Sequence, residues 1–185
     1  MTRRGEFDLI DGVFAPLARG ASGALGLADD AAVFEPPTGI EIVATTDALV
    51  ASVHFNHDDP PDLVGRKLLR VSLSDLASMG AEPDAYLLTV ALPPDCDESW
   101  LETFASGLSE DQEEFKVHLI GGDTVATRGP LLLSVTALGR VPTGQALLRS
   151  GASEGDEIWV SGSIGDGALG LLTLQSGVEP QVERD

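Results

Sequence analysis

Four aspartates lie where apolar segments end, and they constrain the fold of this chain more than any other feature. They are Asp30 in A-D-D-A-A-V-F, Asp47 in I-V-A-T-T-D, Asp75 in V-S-L-S-D-L-A-S-M-G and Asp123 in H-L-I-G-G-D-T. An unpaired carboxylate is costly to bury, so acids at strand ends or on the apolar stripe of a helix need partners. If the fold brings these four together, we expect cations to neutralise them.

The composition is that of a globular protein and excludes some classes of partner. Hydrophobic residues make up 43% of the 185 residues and charged ones 22%, which is not typical of a disordered chain. Thirty acids against 11 bases give a formal net charge of -19, which disfavours free nucleic acid and anionic membranes as partners. A phosphorylated substrate would need metal ions as intermediaries. A solvated acidic surface is the simplest explanation of the excess charge.

The cysteine content and the N-terminus indicate a cytoplasmic protein. Cys96 is the only cysteine, so an intrachain disulfide is excluded and a reducing compartment is expected. Arg3 and Arg4 are followed by no long apolar run, so we expect no signal peptide. No stretch approaches the roughly eighteen apolar residues of a membrane span.

Apolar periodicity predicts two amphipathic helices among four or five strands, several of them in succession, which indicates an α+β fold. A change in composition near Pro142 predicts two domains, 1–142 and an incomplete 143–185. The expected strands are 40–46, 85–92, 117–120, 131–138 and Glu157–Ser161, and the expected helices are 61–79, 100–115 and one from Gly167.

One of these helices carries an acid on its apolar stripe. Val64, Leu68 and Val71 are spaced by four and three residues, and Asp75 is the next position on that stripe. This spacing predicts a partly buried carboxylate. The alternative is a frayed last turn in which Asp75 meets water.

The candidate metal ligands all offer oxygen atoms. Carboxylates and hydroxyls without histidine or thiolate suit magnesium, manganese or calcium rather than zinc or copper. Several acids around several magnesium ions is the arrangement expected for a polyphosphate ligand. The candidates are Asp30, Thr45, Thr46, Asp47, Asp75 and Asp123.

Other motifs are less informative. The G-G-D-T segment could bring backbone amides to a phosphate, although an ordinary tight turn is an equal alternative. The segment Gly165–Gly170 matches a dinucleotide fingerprint, but without a βαβ unit before it we interpret its glycines as allowing close packing. His54 could orient a substrate by hydrogen bonding or could simply be half-buried.

Taken in order, D-D-A-A, T-T-D-A-L-V-A-S-V-H-F, S-D-L-A-S-M-G-A-E-P, L-I-G-G-D-T and R-S-G-A-S-E-G-D resemble the thiamine-monophosphate kinases. That family belongs to the ATP-binding superfamily of aminoimidazole ribonucleotide synthetase. The resemblance implies an N-terminal ATP-binding α+β domain of that fold, with a mixed or antiparallel sheet and helices on one face, followed by the start of a truncated second domain. It also implies a homodimer in which strands of two subunits pair.

The resemblance further implies ATP-dependent phosphorylation of thiamine monophosphate to thiamine diphosphate by in-line transfer, without a covalent intermediate. By that analogy the six oxygen-bearing residues above bind Mg²⁺. Gly122, Asp123 and Arg149 would contact ATP, and His54 would contact the thiamine substrate.

Departures from the family pattern leave alternatives open. Ala28 replaces a glycine that the family usually has before the paired aspartates. The family also continues beyond residue 185 with a second domain, so we expect the 185-residue chain to be inactive or nearly so. The alternatives are another ATP-dependent synthetase of the superfamily and a non-catalytic nucleotide-binding or dimerisation module.

Overall fold

The computed structural model describes residues 5–33, 35–160 and 162–176, without the side chains of Glu6 and Ser22. Contacts between Cα atoms divide the chain into two units, Met1–Leu148 and Arg149–Asp185. The first unit contains α1 (Glu6–Leu9), helical turns at Ile10–Phe14, Ala15–Ala18 and Ser22–Leu27, then β1 (Ile40–Val50), α2 (Pro61–Ser78), β2 (Glu82–Leu92), α3 (Glu98–Phe115), β3 (His118–Ala126) and β4 (Leu132–Pro142). The predicted domain limits at 142 and 143 stay a prediction.

The strands of the first unit form a four-stranded mixed sheet in the order β1–β4–β2–β3. Strand β4 is antiparallel to both of its neighbours. Strands β2 and β3 are parallel and are joined through α3, because a parallel pair needs a crossover connection. The predicted α+β fold with a mixed sheet is therefore confirmed.

Two strands continue past the acids expected to end them. Asp47 lies inside β1 and pairs with Val135, and Asp123 lies inside β3 and pairs with Thr89. The expectation that these acids lie at strand ends is therefore wrong. Gly122 explains the second case, because a Cβ there would lie 1.8 Å from the carbonyl oxygen of Leu88, so only glycine lets the strands pair this closely.

Helices α2 and α3 pack with their backbones almost in contact. A Cβ at Gly107 would lie 2.1 Å from the carbonyl oxygen of Asp62, and one at Gly65 would lie 2.6 Å from that of Phe104. The hydrophobic core draws on these helices and on the sheet. Its largest fully buried side chains are Tyr86, Phe104, Leu68, Leu69, Leu76, Leu92, Leu101, Leu108, Leu119, Leu133, Val90 and Val117.

The buried stripe of α2 differs from the one expected. Val71 remains 36% exposed and Asp75 is exposed, so the prediction that Asp75 lies on the buried stripe is wrong. The helix packs against both α3 and the sheet, so it keeps Val64 and Leu68 of the predicted stripe buried, exposes Val71 and Asp75, and buries a wider set of positions. These are Val64, Gly65, Leu68, Leu69, Ser72, Leu73 and Leu76.

The described residues of the second unit, 149–160 and 162–176, have little regular structure. They contain a short 3₁₀ turn at Arg149–Gly151 and α4 (Asp166–Ser176). The strand expected at Glu157–Ser161 is wrong over 157–160, which form no ladder, and Ser161 lies outside the described residues. An isolated strand without neighbours is not stable. Across the described part of the chain, no helix is both long and apolar enough to cross a membrane.

Candidate metal and nucleotide site

Two carboxylates lie where β1 packs against α2, and each accepts a hydrogen bond from a hydroxyl of the other element. Thr45 Oγ1 donates to Asp75 Oδ2 at 2.8 Å. Ser72 Oγ donates to Asp47 Oδ2 at 3.0 Å. Positions 45 and 47 share one face of the strand, and positions 72 and 75 are about one helical turn apart. We call these four residues the β1–α2 cluster.

The carboxylates of the β1–α2 cluster, Asp47 and Asp75, have no cationic partner among the described ion pairs. A hydroxyl donor orients a carboxylate, but it carries no charge to offset the anion. The donor set of carboxylate and hydroxyl oxygens is the one that hard divalent cations take, so its chemistry fits the predicted Mg²⁺.

Thr46 lies on the other side of β1 from its two neighbours, because side chains alternate along a strand. Its Oγ1 donates to the carbonyl oxygen of Val135 at 3.1 Å and accepts from Thr136 Oγ1 at 3.1 Å. The three predicted ligands of the T-T-D segment are thus divided between the two faces of the sheet.

A cleft of about 710 Å³ lies between the N-terminal segment and strands β2 and β3. The predicted residues Asp30, Gly122 and Asp123 line it, together with Asp29. Its apolar wall includes Phe7, Phe14, Leu27, Leu87 and Leu138. This volume is in the usual range for a small-molecule site, and both predicted acids of the cleft are exposed to solvent.

The cleft and the β1–α2 cluster are separated across the sheet. Asp47 pairs with Val135, Val135 with Leu88, and Leu88 with Gly122. Three inter-strand steps of roughly 4.8 Å place the backbones of residues 47 and 122 about 14 Å apart. Within the described residues, no three His, Cys, Asp or Glu side chains are close enough to share a metal ion. The acids therefore form two sets rather than one preassembled cage.

The segment that leads into Asp29 and Asp30 has an unusual backbone. Leu25 and Leu27 have positive φ angles of 50° and 58°, a conformation that is rare for residues with bulky side chains. Ala28 has φ -96° and ψ -12°, an ordinary right-handed conformation. The methyl group that distinguishes this chain from the family pattern at residue 28 is therefore accommodated without backbone strain.

His54 is exposed rather than half-buried, and its ring is oriented by the backbone. Its Nδ1 accepts a hydrogen bond from the Val50 N–H at 3.0 Å, so the neutral ring carries its proton on Nε2. Lys67 Nζ donates to the carbonyl oxygen of His54. The loop thus holds the imidazole with Nε2 as its remaining donor.

Arg149 lies in the second unit, in the turn Arg149–Gly151, and its predicted contact with ATP stays a prediction.

Sequence reasoning missed two residues of these sites, Asp29 in the cleft and Ser72 in the β1–α2 cluster. The signal for Ser72 was a hydroxyl three residues before Asp75, at a position where the helix otherwise buries leucine.

Comparisons with known proteins identify the family and the fold of this chain. The family model described as AIR synthase related protein, N-terminal domain, matches residues 28–141. A thiamine-monophosphate kinase of Caulobacter vibrioides is 53% identical over 167 residues, covering 90% of this chain and 47% of the relative. The crystal structure of thiamine-monophosphate kinase from Stenotrophomonas maltophilia has a TM-score of 0.80 at 44% identity, covering 94% of this chain and 54% of that one.

A further structure, AaThiL complexed with AMPPCP and TMP, has a TM-score of 0.72 at 32% identity and covers 98% of this chain and 57% of that one. These similarities confirm the resemblance and the fold inferred from the sequence. The chain spans about half the length of the curated relatives it matches.

Proposed function

Because the chain belongs to the AIR synthase related protein family through its N-terminal domain, we propose that it is the ATP- and Mg²⁺-binding part of a thiamine-monophosphate kinase. The reaction would transfer the terminal phosphate of ATP to thiamine monophosphate, giving thiamine diphosphate and ADP. The observation that carries this proposal is the β1–α2 cluster, in which two carboxylates have hydroxyl partners and no arginine, lysine or histidine partner among the described ion pairs. The relative complexed with AMPPCP, an ATP analogue, and TMP supports the choice of ligands.

We assign the nucleotide to the cleft between the N-terminal segment and β2 and β3. Its apolar wall suits a base, and Gly122 and Asp123 line the cleft side by side. Asp30 and Asp123 would hold Mg²⁺ on the cleft side, and Thr45, Asp47 and Asp75 would hold it where β1 packs against α2. Thr46, bonded to the cleft residue Thr136, would contribute from the cleft face of β1. Arg149 would contact the phosphates of ATP, as the resemblance to the family implies.

In this mechanism the chain binds and aligns two phosphorylated molecules rather than attacking either of them. When bound, Mg²⁺ would offset the charge on the phosphates that must approach each other. Thr45 and Ser72 fix the carboxylates that hold it, and His54 would donate from Nε2 to the thiamine substrate. Alignment of the two phosphates is the main contribution expected of a phosphoryl-transfer site.

The binding part of this proposal is tested by calorimetric titration of the 185-residue chain with AMPPCP, with and without Mg²⁺. We expect binding that requires Mg²⁺ and that Asp47→Asn weakens at least tenfold. Asp95→Asn is the matched control, because it removes the same charge from an exposed loop between β2 and α3. Nucleotide binding that ignores Mg²⁺, or no binding at all, would favour a non-catalytic module.

We also propose a cytoplasmic homodimer. Strand β1 is an outer strand of the sheet and is 11 residues long, and such an edge offers unpaired backbone groups to another chain. Ala44 and Ala48 are exposed on it and leave room for close approach. Sedimentation velocity should give a dimer for the natural chain and a monomer for Ala44→Arg, whereas a monomer for both would remove this part of the proposal.

A further inference from the structure

Ser72 is a polar side chain at a fully buried position of α2. Its exposed fraction is 0%, and the adjacent buried positions of the helix are Leu68, Leu69, Leu73 and Leu76. A serine inside a helix often returns its hydroxyl to the carbonyl four residues earlier. Here the Oγ donates instead to a carboxylate oxygen of β1, Asp47 Oδ2, at 3.0 Å.

Two hydrogen bonds join α2 and β1 at this point, and the donor lies on the helix in one and on the strand in the other. Ser72 donates from the helix to Asp47 on the strand, and Thr45 donates from the strand to Asp75 on the helix. Both bonds end on Oδ2 of the acceptor. The side chain of each aspartate is thus oriented while its Oδ1 has no described hydrogen-bond partner.

We propose that Ser72 is a positioning residue that orients the Asp47 carboxylate for a divalent cation. This inference rests on the proposed function, which assigns Asp47 to Mg²⁺. Because the Ser72 side chain is enclosed by the core, its hydroxyl is held in place before any ligand arrives. Groups that orient metal ligands through hydrogen bonds typically contribute about 10–100-fold to metal affinity.

The experiment titrates Mn²⁺, a probe for the Mg²⁺ position, into the 185-residue chain and measures bound and free ion by electron paramagnetic resonance. We expect Ser72→Ala to weaken Mn²⁺ binding at least tenfold and to change the spectrum of the bound ion. Ser72→Thr, which keeps the hydroxyl, should restore both. If Ser72→Ala does not fold, Ser72→Cys gives the same test, since it keeps the volume and has only a weak donor.

Ser134→Ala is the matched control. The Ser134 Oγ donates to the backbone oxygen of Asp47 at 2.9 Å. The variant therefore removes a hydrogen bond to Asp47 but leaves the bonds of its carboxylate unchanged. Wild-type affinity in Ser72→Ala, or equal weakening in Ser72→Ala and Ser134→Ala, would overturn the inference while the proposed function persists. Wild-type affinity in Asp47→Asn would instead remove the proposed function and the inference with it.

Discussion

Helix α2 contacts acidic side chains on two flanks, and these acids are neutralised in different ways. Toward α3, Asp111 is fully buried and accepts hydrogen bonds from Arg66 at 3.1 Å and from Arg70 at 2.7 Å. Toward β1, Asp47 and Asp75 accept hydrogen bonds from hydroxyls. A buried charge needs a counter-charge. The α3 flank contains its own. On the β1 flank Asp75 is exposed and Asp47 is half-buried, and neither has a cation among the described ion pairs, so in our proposal a metal ion can occupy that place.

Other contacts support a structural role for the α3 flank. The Arg70 guanidinium lies 5.2 Å from the centre of the Phe115 ring and also pairs with Glu114 at 2.8 Å. Its hydrogen bond to Asp111 raises the pKa of Arg70 above its usual value. The comparison teaches that in this chain an acid with its own arginines serves the fold, and that an acid held by hydroxyls is the better candidate for a site.

The largest effect expected from this comparison is on stability. The double variant Arg66→Met, Arg70→Met leaves the buried Asp111 without its cations, and breaking a buried pair in this way costs about 3–5 kcal/mol. Urea denaturation measures the loss. Arg128→Met, which alters an exposed arginine in the turn before β4, should change stability by no more than about 0.5 kcal/mol. A loss below about 1 kcal/mol in the double variant would mean that the α3 flank does not depend on its ion pairs.

The second-largest effect tests the close packing of α2 against α3. Gly107→Ala puts a Cβ 2.1 Å from the carbonyl oxygen of Asp62, so the helices must separate, at a cost of about 1–3 kcal/mol. Thermal unfolding followed by circular dichroism measures it. Gly170→Ala in α4 is the control, because among the described residues no atom beyond the local helix backbone lies within 4 Å of the added Cβ, and there alanine should be neutral or stabilising. Equal melting temperatures for the two variants would contradict the packing described.

The sequence was sufficient for the main elements of the first unit. Apolar patterns located the start of each strand and both long helices within about three residues, because those patterns record which face is buried. The predicted ends of β1, β3 and β4 fell about four to six residues short of the observed ones. They could not show that β1 continues through Asp47, since the hydroxyl that accommodates this acid comes from Ser72, 25 positions away. They also placed a strand at Glu157–Ser161, where the described residues have no partner strand.

The site was predictable in chemistry and less so in geometry. Residue type alone indicated oxygen ligands for a hard cation, and Thr45 and Asp75 do meet. The division of Thr46 from Asp47 follows from strand alternation, and the separation of Asp47 from Gly122 in the cleft follows from the sheet order β1–β4–β2–β3. Strand order depends on long-range pairing, which a local pattern does not contain.

A smaller effect concerns a buried hydroxyl that has neither a charged partner, as Asp111 has, nor a hydroxyl partner, as Asp47 has. Tyr86 is fully buried, and its hydroxyl has no hydrogen-bond partner among the described residues. Tyr86→Phe should therefore raise stability by about 1 kcal/mol. Burial also raises the pKa of the Tyr86 phenol, so the neutral form is favoured in the folded state. The wild type should then lose stability relative to the variant as pH rises above about 10, where the unfolded tyrosine ionises.

The matched pH series distinguishes this explanation from a simple packing effect. Chemical denaturation at pH 7 and at pH 10.5 should show a larger advantage for Tyr86→Phe at the higher pH. An advantage that is the same at both values, or a loss of stability at pH 7, would mean that the hydroxyl is hydrated or bonded in solution. In that case Tyr86 would not be an unpaired core group.

The smallest expected effect returns to the β1 flank. Asp47→Asn removes the charge but keeps an oxygen that can accept the hydrogen bond from Ser72, so stability should change by no more than about 0.5 kcal/mol. Asp111→Asn should cost clearly more, because both Arg66 and Arg70 lose their charged partner. The two variants remove the same charge from opposite flanks of one helix, and urea denaturation without divalent cations compares them directly. A large loss in Asp47→Asn would show that the β1–α2 cluster serves the fold as Asp111 does, and the contrast between the flanks would then no longer separate structural acids from ligand-binding ones.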